Sequence, residues 1–447
     1  MISVKVKKGY PLKLAGPPVN DLAVLEKPVR IAVLPERIPF VKPRLKVQIG
    51  DTVKRGTLLF EDKRNPDIRF LSPGGGKIRD IALGPRRVIR EIVIELDASE
   101  SSCVFSSITE GDLDGIDRLQ LVRMIVDGGM WAFLRSLPFR DIPNPNVEPP
   151  GIVVTVGNLE PFHPLPEVYL QENSALFRYG IKVLNRLSNG CVTVAAAADN
   201  RYARSKLTDL ITQTYDGPYP AHDPGVLVYH TKSSVDENRT WYIDAQDLLL
   251  LAELLETGIY PTERTVVVAG SLVNERQHVK TRIGVPLNHL IRGGISPGAA
   301  RFIAGGVFTG YHAAQDSYLG IFETSLTVIP EGSERELLPL FRPGYRKSSY
   351  SRAYLSALNP GTFEMNCNRH GGRRACIACN HCTAVCPVDI LPQLTYKNIL
   401  AEEVETALAH GLLDCVECGL CTYVCPSKIE LCNILKSAKA AYYKEQA

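Results

Sequence analysis

The cysteines of this chain are concentrated near its C-terminus, and this placement constrains the fold more than any other feature. Of twelve cysteines in 447 residues, only Cys103 and Cys191 precede residue 367, and the others lie between Cys367 and Cys432. Disulfide-stabilised secreted proteins distribute their bridges through the core, whereas clustered cysteines in a reducing compartment indicate metal binding. The sequence therefore predicts a metal-binding domain in this region.

Two motifs within this region share one spacing. The first is CIACNHCTAVCP, residues 376–387, and the second is CVECGLCTYVCP, residues 415–426. Both follow the Cys-x-x-Cys-x-x-Cys-x-x-x-Cys-Pro spacing of two-cluster ferredoxins, in which the fourth cysteine of each motif binds the other cluster. Three closely spaced thiolates can hold one face of a cubane, and the fourth cysteine begins a new direction of the chain. The pattern predicts two [4Fe–4S] clusters.

The predicted ligands divide into two sets, each drawn from both motifs. Cluster one is assigned to Cys376, Cys379, Cys382 and Cys425, and cluster two to Cys415, Cys418, Cys421 and Cys386. A pair of structural zinc sites is the alternative. Zinc sites commonly use two separated Cys-x-x-Cys pairs, which does not explain a third cysteine at the same spacing or the repeated Cys-Pro.

Other side chains near the motifs are not assigned as ligands. Cys367 and Cys432 are interpreted as buried free thiols, and His381 as a neighbour of the first cluster or a surface residue, because each set already has four cysteines. Arg373 and Arg374 precede the first motif. Positive charge there would raise the potential of cluster one or face an acidic partner.

Residues 1–100 contain short apolar runs separated by turn residues, which is typical of a β domain. The segment 47–76 resembles the barrel-sandwich fold of biotinyl and lipoyl carrier domains. The matching residues are Val47, Gly50, Asp51, Val53, Gly56, Leu58, Ser72, Pro73 and Gly76. The sequence therefore predicts a barrel-sandwich hybrid domain here.

Residues 101–255 alternate strand and helix patterns. The predicted elements are strands at 152–156, 192–194 and 226–228 and helices at 175–187 and 247–255. This alternation favours a Rossmann-like α/β layer with a mostly parallel sheet.

Short strands return in residues 256–330, where IGVPL at 283–287 and FIAGG at 302–306 resemble the β-grasp (SLBB-like) module of the flavin subunit of complex I. Residues 331–360 are predicted to be a linker. An α-helical ferredoxin domain follows at 361–447, with a helix expected over 394–410 between the motifs. The fold class expected is therefore multidomain, α+β and α/β.

This order of domains resembles the C subunit of Rnf-type ion-translocating oxidoreductases. The sequence upstream of the cysteines is more similar to the A subunit of sodium-translocating NADH:quinone reductase (Nqr). The similar segments are KKGYPLKLAG, VQIGDTVKRGTLLFEDKRNP, GGMWAFLRSLPF, GPYPAHDPG, TRIGVPL and YLGIFETSLTVIPEG.

The resemblance implies a peripheral iron–sulfur electron-transfer subunit of a membrane-bound Nqr/Rnf-type complex. Its expected location is the cytoplasmic side of the inner membrane. Its expected partners are other subunits, including integral membrane ones, and a soluble electron donor protein. The resemblance carries no catalytic residue over to this chain.

Two other functions stay open. Rnf-type C subunits bind FMN and NADH over a Gly-rich loop, and the first alternative is such a flavin-containing, NADH-oxidising subunit. The corresponding place here, 127–133, keeps only Gly128 and Gly129, whereas a phosphate-binding loop needs several glycines. Bound FMN is therefore not expected. The second alternative is a docking or assembly subunit whose clusters are structural.

Composition excludes some other classes. The net charge of +3 gives no case for a nucleic-acid partner. No run reaches the roughly 18–20 apolar residues of a membrane-spanning helix, and the first residues lack the apolar stretch of a signal peptide.

Overall fold

The computed structural model describes residues 1–333, 344–350 and 355–446. The strands are β1 Ile2–Lys5, β2 Val19–Val24, β3 Arg30–Val33, β4 Pro43–Leu45, β5 Thr52–Val53, β6 Leu58–Asp62, β7 Arg69–Leu71, β8 Gly76–Leu83, β9 Ile89–Leu96, β10 Arg135–Ser136, β11 Ile152–Val156, β12 Val192–Ala197, β13 Gln213–Asp216, β14 Trp241–Asp244, β15 Glu263–Ala269, β16 Gln277–Arg282, β17 Ala300–Ala304, β18 Tyr311–Ala313 and β19 Ser325–Pro330. The helices are α1 Arg118–Asp127, α2 Pro166–Tyr169, α3 Ser174–Leu187, α4 Arg201–Lys206, α5 Pro224–Thr231, α6 Ala245–Thr257, α7 Leu287–Leu290, α8 His381–Val385, α9 Pro392–Leu400, α10 Val404–Ala409, α11 Leu420–Tyr423 and α12 Leu431–Gln446. Part of the predicted linker, 334–343 and 351–354, lies outside the described residues.

The barrel-sandwich region consists of two small antiparallel sheets. One has the order β3-β9-β8-β5 and the other the order β4-β6-β7. Residues on their facing sides, including Ile31, Leu59 and Ile92, are fully buried, and the rings of Phe60 and Phe70 stack at 4.6 Å. Burial of these apolar side chains holds the two sheets together.

The α/β sheet has the order β1-β13-β12-β11-β14-β10 and is parallel except for the pairing of β10 with β14. Side chains alternate between the two faces of a strand. In β11, Ile152, Val154 and Val156 join the core that contains α3 and α6, whereas Val153 joins a second core on the opposite face. Because both faces are covered, the strand is apolar throughout.

The ferredoxin region covers the second face of this sheet. Its Val388, Ile390 and Leu435 share one core with Val153 and with Leu227 of α5. The cysteine motifs are thereby held against the α/β layer. Within the described ranges, no helix is both long and apolar enough to cross a membrane.

The β-grasp region is a six-stranded sheet with the order β18-β17-β19-β15-β16-β2. The apolar residues Val266, Val268, Val279, Leu326 and Val328 form the centre of its core.

The first 24 residues connect the α/β, β-grasp and ferredoxin regions. Strand β1 pairs in parallel with β13 of the α/β sheet, and β2 pairs in parallel with β16 of the β-grasp sheet. Between them, the amide of Phe363 donates to the carbonyl of Lys13, and the amide of Ala15 donates to the carbonyl of Phe363. Neither strand belongs to the sheets of the barrel-sandwich region.

Two predicted elements are wrong. The apolar run 226–228 lies in helix α5 and is not a strand, because Asp223 caps the helix through the amide of Gly225 and Pro224 occupies the first turn. The expected single helix over 394–410 is divided into α9 and α10, with Glu402 in the left-handed region at φ 60° between them.

Candidate iron–sulfur centres

The two cysteine motifs repeat one backbone conformation. In the first motif, Ala378 and Asn380 have φ of 53° and 62°, and in the second, the equivalent Glu417 and Gly419 have φ of 59° and 79°. These positive φ values flank the second cysteine of each motif, and a short helix, α8 or α11, follows. Left-handed residues between right-handed ones turn successive amide N–H groups to one side, which is how backbone binds anions and iron–sulfur clusters.

The repetition extends past the fourth cysteine of each motif. Asp389 and Lys428, each three residues after that cysteine, have φ of 53° and 56°. Left-handed conformations are costly for residues other than glycine, so they persist where the surroundings require them. Both motifs therefore have the backbone that a cluster requires, and the residues present fit this cofactor.

The predicted ligands of cluster two lie around one cavity. Cys386 of the first motif lines this cavity together with Cys415, Cys418 and Cys421 of the second. Cys382 and Cys432 also contribute to its wall. The cavity thus contains cysteines from both motifs, including the fourth cysteine of the first.

The predicted ligands of cluster one lie on segments that hydrogen-bond to each other. The amide of Arg374 donates to the carbonyl of Ser427, and the Ser427 hydroxyl donates to the carbonyl of Ala375 at 2.8 Å. These bonds hold the chain just before Cys376 beside the chain just after Cys425. Cys379 is exposed and Cys382 is buried.

The cysteines do not converge on a single point. Within residues 1–333, 344–350 and 355–446, no three Cys, His, Asp or Glu side chains meet closely enough to hold one metal ion. Each thiolate of a cubane binds a different iron, so cluster ligands stand further apart than the four ligands of one zinc ion.

Burial controls the protonation of three cysteines that line the cavity. It raises the pKa of Cys415 to about 12, and it also raises the pKa values of Cys418 and Cys386. Such thiols stay neutral unless a cation is nearby. Bound iron would supply that positive charge and hold them as thiolates.

Two cations, the buried Lys439 and the partly buried Arg140, contact the backbone of the second motif. The ammonium of Lys439, which is 2% exposed, donates to the carbonyl of Cys415 at 2.8 Å and pairs with Glu417 at 3.3 Å. The guanidinium of Arg140 donates to the carbonyl of Val416 at 3.0 Å and pairs with Asp223 at 2.8 Å. Two ion pairs therefore lie beside the buried cysteines, with their cations bound to backbone carbonyls of the motif.

The second motif also contacts the α/β and β-grasp regions. The Tyr219 hydroxyl donates to the carbonyl of Cys418 at 2.9 Å, and its ring stacks on Phe308 at 5.1 Å. Gly419 lies against Phe308 so closely that a Cβ there would be 3.2 Å from the Phe308 Cβ. Sequence patterns contain no signal for Tyr219, Phe308, Arg140 or Lys439, since their contacts join distant parts of the chain.

Gln393 contacts the first motif from helix α9. Its Oε1 lies 3.3 Å from the Cys382 sulfur and accepts from the Thr383 hydroxyl at 2.8 Å, while its Nε2 donates to Asn380 at 2.9 Å. The oxygen and nitrogen of an amide are assigned from such networks. A Cys382 thiolate is only an acceptor, so a cluster-bound Cys382 favours the amide orientation in which Nε2 faces the sulfur.

The side chains not assigned as ligands lie as follows. Cys367 is half-buried and Cys432 is buried. His381 is half-buried, and its ring lies edge-on to Tyr350 at 5.3 Å.

The glycine pair that follows helix α1 is packed into the core. A Cβ on Gly128 would lie 2.1 Å from Leu254, and one on Gly129 would lie 2.7 Å from Leu71. The indole of Trp131 is buried and donates to the carbonyl of Pro143 at 2.8 Å. Protein side chains thus occupy the space that a phosphate would need near this backbone.

Four family models match the chain. They describe the NqrA N-terminal barrel-sandwich hybrid domain at residues 4–97, the NqrA second alpha/beta domain at 116–260, the NQRA C-terminal domain at 265–315 and a 4Fe-4S dicluster domain at 375–429. These matches confirm the expected fold class.

Full-length relatives agree with these matches. The chain is 33% identical over 416 residues to the A subunit of the Na(+)-translocating NADH-quinone reductase of Vibrio alginolyticus, covering 92% of each protein. It is 33% identical over 413 residues to the corresponding protein of Yersinia pestis bv. Antiqua (strain Angola), again covering 92% of each. A chain of the NAD+-reducing [NiFe]-hydrogenase shares 12% identity over 52% of each chain with a TM-score of 0.32, a likeness too low to carry an argument. The chain therefore belongs to the NqrA family, the A subunits of Na+-translocating NADH-quinone reductases, and it contains a 4Fe-4S dicluster domain.

Proposed function

We propose that this chain is a peripheral electron-relay subunit of a Na+-translocating NADH-quinone reductase complex and that it holds two [4Fe–4S] clusters. The repeated left-handed backbone of the two motifs carries the proposal, because a single cluster would not require the same costly conformation twice. The clusters would supply one-electron transfer. The relatives are named as one subunit of that enzyme, so the proposed partners are its other subunits.

The proposed ligands are the two sets of the sequence prediction. Cluster one takes Cys376, Cys379, Cys382 and Cys425, and cluster two takes Cys415, Cys418, Cys421 and Cys386. The cavity that Cys386 shares with the second motif supports the exchange of fourth cysteines. The hydrogen bonds between the segments before Cys376 and after Cys425 support the other half of the exchange.

The surrounding residues have distinct roles in this proposal. Lys439 and Arg140, each paired with a carboxylate, bind backbone carbonyls of the second motif and hold its backbone in place. Tyr219 and Phe308 cover the Cys418–Gly419 backbone and exclude water from that side. Gln393 orients Cys382 through the amide contact. The proposal includes no flavin, and the packing of Gly128 and Gly129 against leucines supports this.

The test is the cofactor content of the full chain purified without oxygen. We expect about eight irons and eight acid-labile sulfides per chain, no flavin, and an EPR spectrum of two interacting reduced clusters after dithionite. Zinc in place of iron would refute the proposal. Flavin that NADH reduces would instead support the NADH-oxidising alternative. Clusters that no complex-bound donor or acceptor can reduce or oxidise would favour a structural role.

A further inference from the structure

The two predicted sets of cluster ligands differ in how far their surroundings reach the surface. Ile377 is 67% exposed and Cys379 is exposed, whereas Cys386 and Cys415 are each 8% exposed. The second motif is covered by α12 and by the Tyr219 and Phe308 side of the α/β and β-grasp regions. The first motif therefore forms the surface at which a cluster would approach a second protein.

Basic side chains border this exposed motif. We call Arg369, Arg373, Arg374 and Lys428 the basic rim. Arg373 and Arg374 precede Cys376 by three and two residues, and Lys428 follows Cys425 by three residues. The guanidinium of Arg374 donates to the carbonyl of Pro426 at 2.9 Å, which keeps the two ends of the rim together.

Few acidic groups offset this charge. Glu430 pairs with Arg369. In the part of the chain that the structure describes, no carboxylate lies within ion-pair distance of Arg373, Arg374 or Lys428. An open groove of about 450 Å³, lined by Arg369, Arg373, Lys428, Ile399 and Ile434 among others, continues the same surface.

We propose that the exposed face of the first motif and the basic rim dock an acidic one-electron carrier protein. This inference rests on the proposed function, because it requires cluster one to be present. Complementary charge steers such a partner and sets its orientation. An exposed apolar residue, Ile377, within a charged rim also has the arrangement of a protein interface, with an apolar centre and a polar border. Electron transfer slows steeply with distance, so a carrier must dock where the cluster is least covered.

The experiment compares two matched variants of the cluster-loaded full chain. R373Q/R374Q neutralises two adjacent arginines of the rim, and R86Q/R87Q neutralises two adjacent exposed arginines in the turn between β8 and β9. The probe is a small acidic [2Fe–2S] ferredoxin, and the control probe is a basic cytochrome c. Binding is measured by calorimetry at about 0.01 M and about 1 M salt. The electron-transfer rate is measured by stopped flow.

We expect R373Q/R374Q to bind the acidic probe about three- to tenfold more weakly than the unmodified chain, since two interfacial charges are lost. R86Q/R87Q should bind normally, high salt should weaken binding, and the basic probe should not bind. Iron content and EPR check each variant. If R373Q/R374Q loses iron, R369Q/K428Q replaces it.

Several results would overturn the docking proposal. They are equal binding by both variants, no binding of the acidic probe, binding of the basic probe, or rim-dependent binding to anionic lipid vesicles instead. If the unmodified chain contains about eight irons, each of these results contradicts the docking proposal alone and not the relay function. Absence of iron from the unmodified chain would instead refute the proposed function.

Discussion

Replacing Lys439 should destabilise the second motif strongly, because it removes a buried cation from a carboxylate whose side chain is only 12% exposed. Two lysines approach Glu417, and they differ in exposure. The side chain of Lys439 is 3% exposed and lies 3.3 Å from the carboxylate, whereas that of Lys436 is 59% exposed and lies 3.5 Å away. K439M and K436M therefore form a matched pair of variants, because each removes one lysine partner of Glu417.

The magnitude follows from what each variant leaves behind. K439M leaves Glu417 without its buried partner and the Cys415 carbonyl without its donor. Breaking a buried pair costs about 3–5 kcal/mol, and we expect about 3 kcal/mol because Lys436 stays near the acid. Roughly 1 kcal/mol of this belongs to the lost hydrogen bond. The exposed pair of Lys436 should contribute less than about 1 kcal/mol.

Hydrogen exchange followed by mass spectrometry measures these costs locally. In peptides covering 415–421 and 431–446, amides that exchange through local opening should exchange about a hundredfold faster in K439M, and less than about tenfold faster in K436M. In E417Q/K439M no unpaired carboxylate remains, so exchange should return to within about tenfold of the unmodified chain. Equal effects of the two lysine variants, or no recovery in the double variant, would refute this reasoning.

Three further predictions concern the ligand sets, a buried histidine and an amide. If the motifs exchange their fourth cysteines, C386A/C418A removes ligands of cluster two only and should keep about four irons. C386A/C379A removes one ligand of each cluster and should keep no iron. The reverse result would show that each motif binds its own cluster. Burial lowers the pKa of His222 to about 4. The unfolded chain then binds more protons below its ordinary pKa of 6.5, so the free energy of unfolding should fall by about 1.5 kcal/mol between about pH 6.5 and pH 5. Thermal melting of H222Q should not show this part of the pH dependence. The same pH dependence in H222Q and in the unmodified chain would contradict the prediction. Q393L should lower the reduction potential of cluster one by about 40 mV, because about 1 kcal/mol of hydrogen bonding to the Cys382 thiolate is lost. The potential of cluster two should not change, and an EPR redox titration measures both potentials. An unchanged potential of cluster one would exclude this role of Gln393.

The features that sequence can predict are those encoded within a few neighbouring residues. The cysteine spacing predicts a cluster domain because ligand geometry is local, and the family match at 375–429 confirms a dicluster domain. The strand 152–156 is predicted within its observed bounds, because a strand buried on both faces is apolar at every position.

The two wrong elements show where local patterns are ambiguous. The run Val226-Leu227-Val228 has strand propensity, but the cap at Asp223 and the core position of Leu227 determine a helix. Over 394–410, the helical pattern continues through Leu400 and Val404, which are 60% and 47% exposed. No Gly or Pro marks the break at Glu402, so no local pattern indicates it.

The path of the first 24 residues could not be predicted at all. Their two short strands pair with β13 and β16, which lie about two hundred residues or more away along the chain. The identity of a distant partner strand leaves no signal in the sequence, and β1 and β2 are largely exposed, so burial does not indicate their positions either. The same holds for Tyr219, whose contact with Cys418 joins residues that are 199 positions apart.

This N-terminal segment bears directly on the choice between a relay and a structural role. Lys8 pairs with Asp389 at 2.6 Å, and Tyr10 packs against Tyr423 at 5.4 Å, so one strand-flanked segment holds both cysteine motifs. The same segment pairs with the α/β and β-grasp sheets. A cluster that only stabilises its own domain gains nothing from a fixed orientation toward other domains. A relay would require it, because the rate of electron transfer depends steeply on distance, and we infer that the segment keeps the second motif in a fixed position against Tyr219 of the α/β region.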